Sequence, residues 1–210
     1  MTWLFSPPSF DDLARLLKAW RLWSIGVLIG GLIGAVAYYV APPPYRAHAT
    51  VLVDFNLEEA WPQDTDREQF YYLDRETRKL EDIAFSDSVM ESIVEKDHQN
   101  TVTELRGEKL TLSQPAEGGW HFYAVDDDPQ RAQSLASAWS LAFANEVRSR
   151  VTSAQGLNSF IEVNVTQAAN LPVERSIALS TYLFTGAIGF LAFASIIILF
   201  FDFGQRSAKT

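Results

Sequence analysis

The chain has 210 residues, of which 48% are hydrophobic and 20% charged, with a net charge of −9. With no cysteine, disulfides and thiolate metal sites are excluded. The acidic balance is the wrong sign for a nucleic-acid partner, whose binding comes from neutralised phosphates.

In chain order, residues 1–21 read as a cytoplasmic amphipathic helix. Ser9 and Asp12 resemble a capping box with Asp in place of Glu. Leu13, Leu16, Leu17 and Trp20 share one helical face, with Arg15, Lys18 and Arg21 nearer the polar side. That pattern suits a helix lying in the lipid headgroup layer, with Trp3, Trp20 and Trp23 as interfacial aromatics. Residues 22–41 predict transmembrane helix 1. Its uncharged run, Leu22 to Val40, extends about 28 Å as a helix against a hydrocarbon core of about 30 Å. It is too long, and too far from the first residue, for a cleaved signal peptide. Gly26, Gly30 and Gly34 form a tandem G-x-x-x-G, a face that another helix can approach closely. The partner is either the second apolar run, where Gly186 and Gly189 offer a matching surface, or a neighbouring subunit.

Residues 42–175 predict one extracytoplasmic domain with 23 acidic and 12 basic residues, a net charge of −11. Pro42-Pro43-Pro44 stops the first span. Arg46 to Phe55 reads as a strand with Ala47, Ala49, Val51 and Val53 on one side. Asp64 to Asp82 reads as a helix with Phe70, Leu73, Thr77 and Leu80 in register, and Ser86 as the N-cap of a helix from Asp87 to Lys96 with Val89, Ile93 and Val94 inward. Lys109 to Ser113 and Trp120 to Val125 read as a hairpin turning at Glu117-Gly118-Gly119.

Asp126-Asp127-Asp128 then precedes Pro129. Clustered carboxylates raise the question of a metal, but the Asp-x-Asp-x-Asp-Gly spacing of a calcium loop is missing. Asp before Pro is how a helix begins: Asp128 caps and Pro129 takes the first helical position. The helix is predicted from Pro129 to about Arg150, with Leu135, Trp139, Ala142, Phe143, Glu146 and Val147 marking its face. Phe160 to Gln167 is the last strand, with Ile161, Val163 and Val165 alternating; its sequon at Asn164 is a poor acceptor inside a strand. Residues 176–201 predict transmembrane helix 2, uncharged from Ile177 to Phe201, and residues 202–210 a cytoplasmic tail. Five Lys and Arg lie outside the spans at the chain ends against two, Arg46 and Arg175, on the inner flanks, so both termini are expected in the cytoplasm. The predicted fold class is α+β: two transmembrane helices flanking an extracytoplasmic α/β sandwich with a four-stranded, antiparallel or mixed sheet. First and last strands both adjoin a span and are placed to pair.

No catalytic constellation emerges. His48, His98 and His121 are scattered, and no H-E-x-x-H, P-loop or G-x-S-x-G is present. The expectation is a non-enzyme with no cofactor and no metal site.

The layout resembles the Wzz-type chain-length determinant proteins, or polysaccharide co-polymerases. The resemblance is carried by Asp11 to Trp23, Tyr45 to Val53, Ile83 to Val94, Asp126 to Val147 with its D-x-D-P-x-x-A element (Asp126, Asp128, Pro129, Ala132), and Val163 to Pro172. The chain departs from the larger members in leaving no room for a long helical hairpin, and in reducing the proline-rich run to Pro172. The resemblance implies a homo-oligomer in a cell (inner) membrane, its outer domains touching edge to edge. It would associate with membrane lipid and with a polysaccharide polymerase or export machinery, and regulate the chain length, polymerisation or export of a surface polysaccharide. The short format is also similar to members that partner a cytoplasmic tyrosine autokinase, which gives a second reading as a kinase adaptor. A third reading is a membrane-anchored sensor whose outer domain binds a ligand.

Overall fold

The computed structural model describes residues 18–60, 66–113, 119–153 and 156–207, with side chains described throughout except at 59–60, 66–70 and 199–207. The expected N-terminal capping box, Trp3 and Leu13 to Leu17, the Glu117-Gly118 part of the turn and Lys209 lie outside the described residues. The chain divides into two compact units, a helix pair and a lobe spanning Pro44–Ser176.

The helix pair consists of α1 (Trp20–Val40) and α7 (Leu179–Ser207). Both are long and apolar enough to cross a membrane. Their large apolar side chains, among them Leu28, Leu32, Phe184 and Ile188, point outward instead of into a core. Helix α7 runs past Phe201 through Ser207, since no proline interrupts the segment; the uncharged run ends before the helix does.

In the lobe the elements are β1 (Tyr45–Asp54), the short α2 (Leu57–Ala60), α3 (Asp66–Ala84) and α4 (Asp87–Asp97). Next come one turn of helix, α5 (Val102–Glu104), and a π-type turn (Leu105–Lys109), then β2 (Leu110–Ser113), β3 (Trp120–Asp126), α6 (Pro129–Thr152) and β4 (Glu162–Gln167). The strands form one antiparallel sheet in the order β2-β3-β1-β4. First and last strands pair in antiparallel fashion, Val51 opposite Val165 and Val53 opposite Val163. At the tight end of the β2–β3 connection Gly119 adopts φ +118, and a Cβ there would run into the Val51 carbonyl.

One sheet face packs against α6. Ala47, Ala49 and Val51 of β1 and Trp120, Phe122 and Ala124 of β3 meet Leu135, Trp139, Phe143 and Val147 in a single core. Small residues on β1 leave room for large rings opposite: Phe122 stands edge-on to Trp139 at 4.7 Å and tilts against Phe143 at 5.0 Å. The Trp139 indole donates to the Ala84 carbonyl at 2.8 Å, tying α6 to the end of α3.

Several sequence expectations shift. Of the register expected for α3, Leu80 is buried, Leu73 and Thr77 are half-buried, and the Phe70 side chain lies outside the described residues; the buried stripe runs through Tyr72, Glu76, Leu80 and Ile83, with a buried carboxylate where hydropathy looks for an apolar residue. Glu76 Oε1 is held by Lys79 Nζ at 2.9 Å and Arg75 Nε at 3.1 Å. Glu146, expected on the α6 core face, pairs instead with Arg150 at 2.8 Å. Ser86 occupies the N-cap position of α4, but its hydroxyl donates back to the Ile83 carbonyl at 2.8 Å and caps nothing.

Candidate functional site

Three places collect the residues singled out in the sequence. The first is the contact within the helix pair. Gly26, Gly30 and Gly34 are the buried residues of α1. A Cβ at Gly26 would lie 3.3 Å from the Ala194 Cβ; one at Gly30 would reach the Gly186 carbonyl and lie 2.7 Å from the Phe190 Cβ; one at Gly34 would strike the Tyr182 carbonyl. At Gly30 and Gly34 backbones this close leave no volume for a side chain, so glycine is dictated by geometry there, while Gly26 has a tighter than usual but looser contact. Of the two sequence alternatives, the contact is made to the second helix of the same chain. Gly186 is at it. Gly189, expected there, is off it: a Cβ at Gly189 would meet nothing within 4 Å, because the contacting stripe of α7 runs through Tyr182, Gly186, Phe190 and Ala194 at four-residue steps and passes beside it. Aromatic rings gather where α1 ends and α7 begins, with Tyr38 5.6 Å from Tyr39 and 5.5 Å from Tyr182.

The second place is the D-x-D-P-x-x-A corner. The Asp128 carboxylate accepts the Gln130 N–H at 2.8 Å, and Pro129 follows at the first helical position. Ala132 is fully buried in the core of the lobe. Asp126 does different work. Its carboxylate is buried, accepts Lys109 Nζ at 2.6 Å and the Asp128 N–H at 3.1 Å, and has Arg131 at 3.9 Å. Burial by itself would raise its pKa; the Lys109 and Asp128 hydrogen bonds and the Lys109 and Arg131 charges outweigh that and hold it below the usual carboxylate range. Asp128 is thus consumed by capping and Asp126 by a buried ion pair, while Asp127 is exposed. Asp126 stands opposite Tyr45 in the sheet, and Tyr45 bridges to Arg175, whose guanidinium lies 4.7 Å from the Tyr45 ring centroid. The Ser176 N–H donates to the Pro44 carbonyl at 2.8 Å. The corner therefore braces the end of the lobe at which the chain enters and leaves. Pro172 is half-buried in the irregular segment leading there, and Gln133 Nε2 pins that segment by donating to the Ala169 carbonyl at 2.9 Å.

The third place was not marked out by sequence. On the sheet face away from α6, β1 and β3 bring together Arg46, His48, Thr50, His121 and Tyr123. Arg46 lies 3.8 Å over the Tyr123 ring, and the His48 and His121 rings stand edge to face at 5.6 Å. Thr50 Oγ1 and His121 Nδ1 are hydrogen-bonded at 3.0 Å. The His48 pKa is below the usual imidazole value, first because neighbouring groups strip solvent from the ring, then through the charges of His121 and Arg46. His98 is elsewhere, at the left-handed C-cap position just after α4, with φ +52. Strand register alone unites His48 and His121, so sequence spacing carried no signal of it.

Among the described residues no group of three or more His, Asp or Glu side chains is gathered to hold a metal ion. Two open grooves mark the lobe, one of about 410 Å³ lined by Glu81, Asp82, Phe85 and Leu112, the other of about 260 Å³ between the end of α6 and β4.

No protein-family model matches the chain, and no curated protein matches it. Among solved structures, one described as a full-length bacterial polysaccharide co-polymerase is similar at 8% identity and a TM-score of 0.46, over 96% of this chain and 98% of that one. A likeness at that score and identity bears no functional weight.

Proposed function

We propose that the chain is a non-enzymatic membrane scaffold that regulates the chain length, polymerisation or export of a surface polysaccharide. Helices α1 and α7 cross the inner membrane as a pair, both chain ends are cytoplasmic, and the acidic lobe stands outside. The observation that supports this most is the joined base of the lobe. Pro44 and Ser176, at the two ends of the lobe, are hydrogen-bonded to each other, and the segments before and after them are apolar helices with outward-facing side chains. Exposed Leu, Ile and Phe in this density call for lipid as solvent. Tyr38, Tyr39 and Tyr182 sit where aromatic residues favour the membrane–water boundary.

The polysaccharide part of the reading rests on the ordered motifs from Asp11 to Pro172. The corner residues of those motifs serve architecture, as a scaffold requires. The scaffold acts as a homo-oligomer alongside a polymerase or exporter. With the glycines of α1 occupied inside the chain, subunit contacts fall to the lobe and the outer helix faces.

Deleting the gene is expected to change the length distribution or amount of the surface glycan on a gel, and re-expression of the chain to restore it. An unchanged glycan profile would end the polysaccharide reading. Protease added to spheroplasts is expected to digest the lobe and spare tags at both termini; the reverse pattern would overturn the orientation.

A further inference from the structure

We propose that His48 and His121 form a two-imidazole site for a divalent transition-metal ion on the open face of the sheet. The site is separate from the scaffold role and does not rest on it. Antiparallel pairing sets His48 opposite Tyr123 and His121 opposite Thr50, so the two histidines are diagonal neighbours on one face. Two imidazoles sharing a tetrahedral ion have ring centroids about 5 Å apart, given metal–nitrogen bonds of about 2.0–2.1 Å. The observed separation is 5.6 Å, close to that value.

The nitrogens are differentiated. His121 Nδ1 is engaged by Thr50 Oγ1 at 3.0 Å, which leaves Nε2 as its ligand atom. In the ligating tautomer Nδ1–H donates to the threonine oxygen, the kind of partner that fixes ring orientation at metal sites. Thr50 is itself buried and held by the sheet, so it is a rigid positioning residue. Imidazole ligands select zinc, nickel or copper over magnesium and calcium, and water fills the remaining coordination positions. The lobe's net charge of −11 draws cations. Arg46, over Tyr123 beside His48, opposes them locally and keeps the site from binding tightly.

The test is calorimetric titration of the full chain in nanodiscs, purified without a polyhistidine tag, with Ni(II), Zn(II) and Mg(II). Wild type is expected to bind one Ni(II) or Zn(II) per chain and to show no Mg(II) site. H48Q and H121Q should each lose the transition-metal site, and H98Q should keep it. T50V should weaken binding about tenfold, as loss of an orienting partner does, and R46Q should tighten it. Thermal melts show whether each variant is folded. Absence of Ni(II) and Zn(II) binding in wild type, or full binding in folded H48Q or H121Q, would overturn the site.

Discussion

The helix pair and the lobe are held together by opposite means. The lobe is packed with volume: Trp139, Phe122, Phe143 and Leu135 are all buried, and each fills space left by alanines on β1. The helix pair is packed by absence of volume, since Gly26, Gly30, Gly34 and Gly186 let backbone meet backbone. In water the hydrophobic effect rewards large buried side chains. In lipid that reward vanishes, because the alternative surroundings are equally apolar, and close backbone contact becomes the main source of attraction. One chain thus uses two packing rules, and substitutions that are mild under one should be severe under the other.

The largest effect is expected from removing volume in the lobe. Trp139→Ala should destabilise the lobe by about 3–5 kcal/mol, as large-to-small core changes do. It also deletes the hydrogen bond to the Ala84 carbonyl. Thermal unfolding of the full chain in detergent, followed by circular dichroism, measures it. A loss below 1 kcal/mol would mean that the core is looser than the ring contacts indicate.

Adding volume should be the damaging change in the helix pair. Gly30→Leu is expected to cost about 1–3 kcal/mol of helix association, the range for overpacking, while Gly31→Leu and Gly189→Leu, where a Cβ meets nothing within 4 Å, should be near neutral. The cysteine-free chain permits a clean readout. Cysteines introduced as Gly26→Cys and Ala194→Cys should oxidise to a disulfide, adding Gly30→Leu should abolish it, and adding Gly31→Leu should not. Equal cross-linking in the two leucine variants would refute the backbone-contact account.

How far each unit was legible in the sequence follows from the same physics. Helices long and apolar enough to cross a membrane are read from composition alone, and the glycine spacing announced their contact face; only the three-dimensional phase of α7 was needed to exclude Gly189. The strands and α6 were legible from alternation and from the Asp-Pro helix start. The sequence reading passed over α5, although Thr101 to Glu104 form a capping box with both of its hydrogen bonds in place. What periodicity does not carry is polar burial. Glu76 is almost completely buried in α3, and the Lys109–Asp126 pair joins the turn before β2 to the end of β3. The burial of Glu76 depends on how α3 packs, and the Lys109–Asp126 pair on residues brought together by the fold, as does the meeting of His48 with His121.

The Asp126 corner sharpens the contrast from the polar side, with an effect expected below that of Trp139. Asp126→Asn keeps the shape but removes the charge that faces Lys109, and should cost about 1.5–3 kcal/mol, the range for hydrogen bonds to charged groups. Because the folded pKa lies below the unfolded carboxylate value of about 4, the carboxylate stabilises the lobe in full above that value, and the stabilisation is lost as pH falls through the lowered folded pKa. The melting-temperature gap between wild type and Asp126→Asn should therefore be constant from pH 6 to pH 7 and shrink toward pH 3. A gap that stayed constant down to pH 3 would mean that shape, not charge, carries the contribution.

Asp128→Ala should have the smallest effect, about 1 kcal/mol, the usual cost of losing an N-cap. Its carboxylate is exposed and accepts one N–H, that of Gln130, so water replaces much of what is lost. Asp127, exposed between the two, makes no hydrogen bond with a described residue, and Asp127→Ala should leave the melting temperature unchanged. Three adjacent acids of one chemical type are thereby expected to rank Asp126, Asp128, Asp127 in a single series of melts. If Asp127→Ala proved as harmful as Asp126→Asn, the acids would be acting together on a shared ligand, and the division of the corner into a buried ion pair, a helix cap and a solvated side chain would fail.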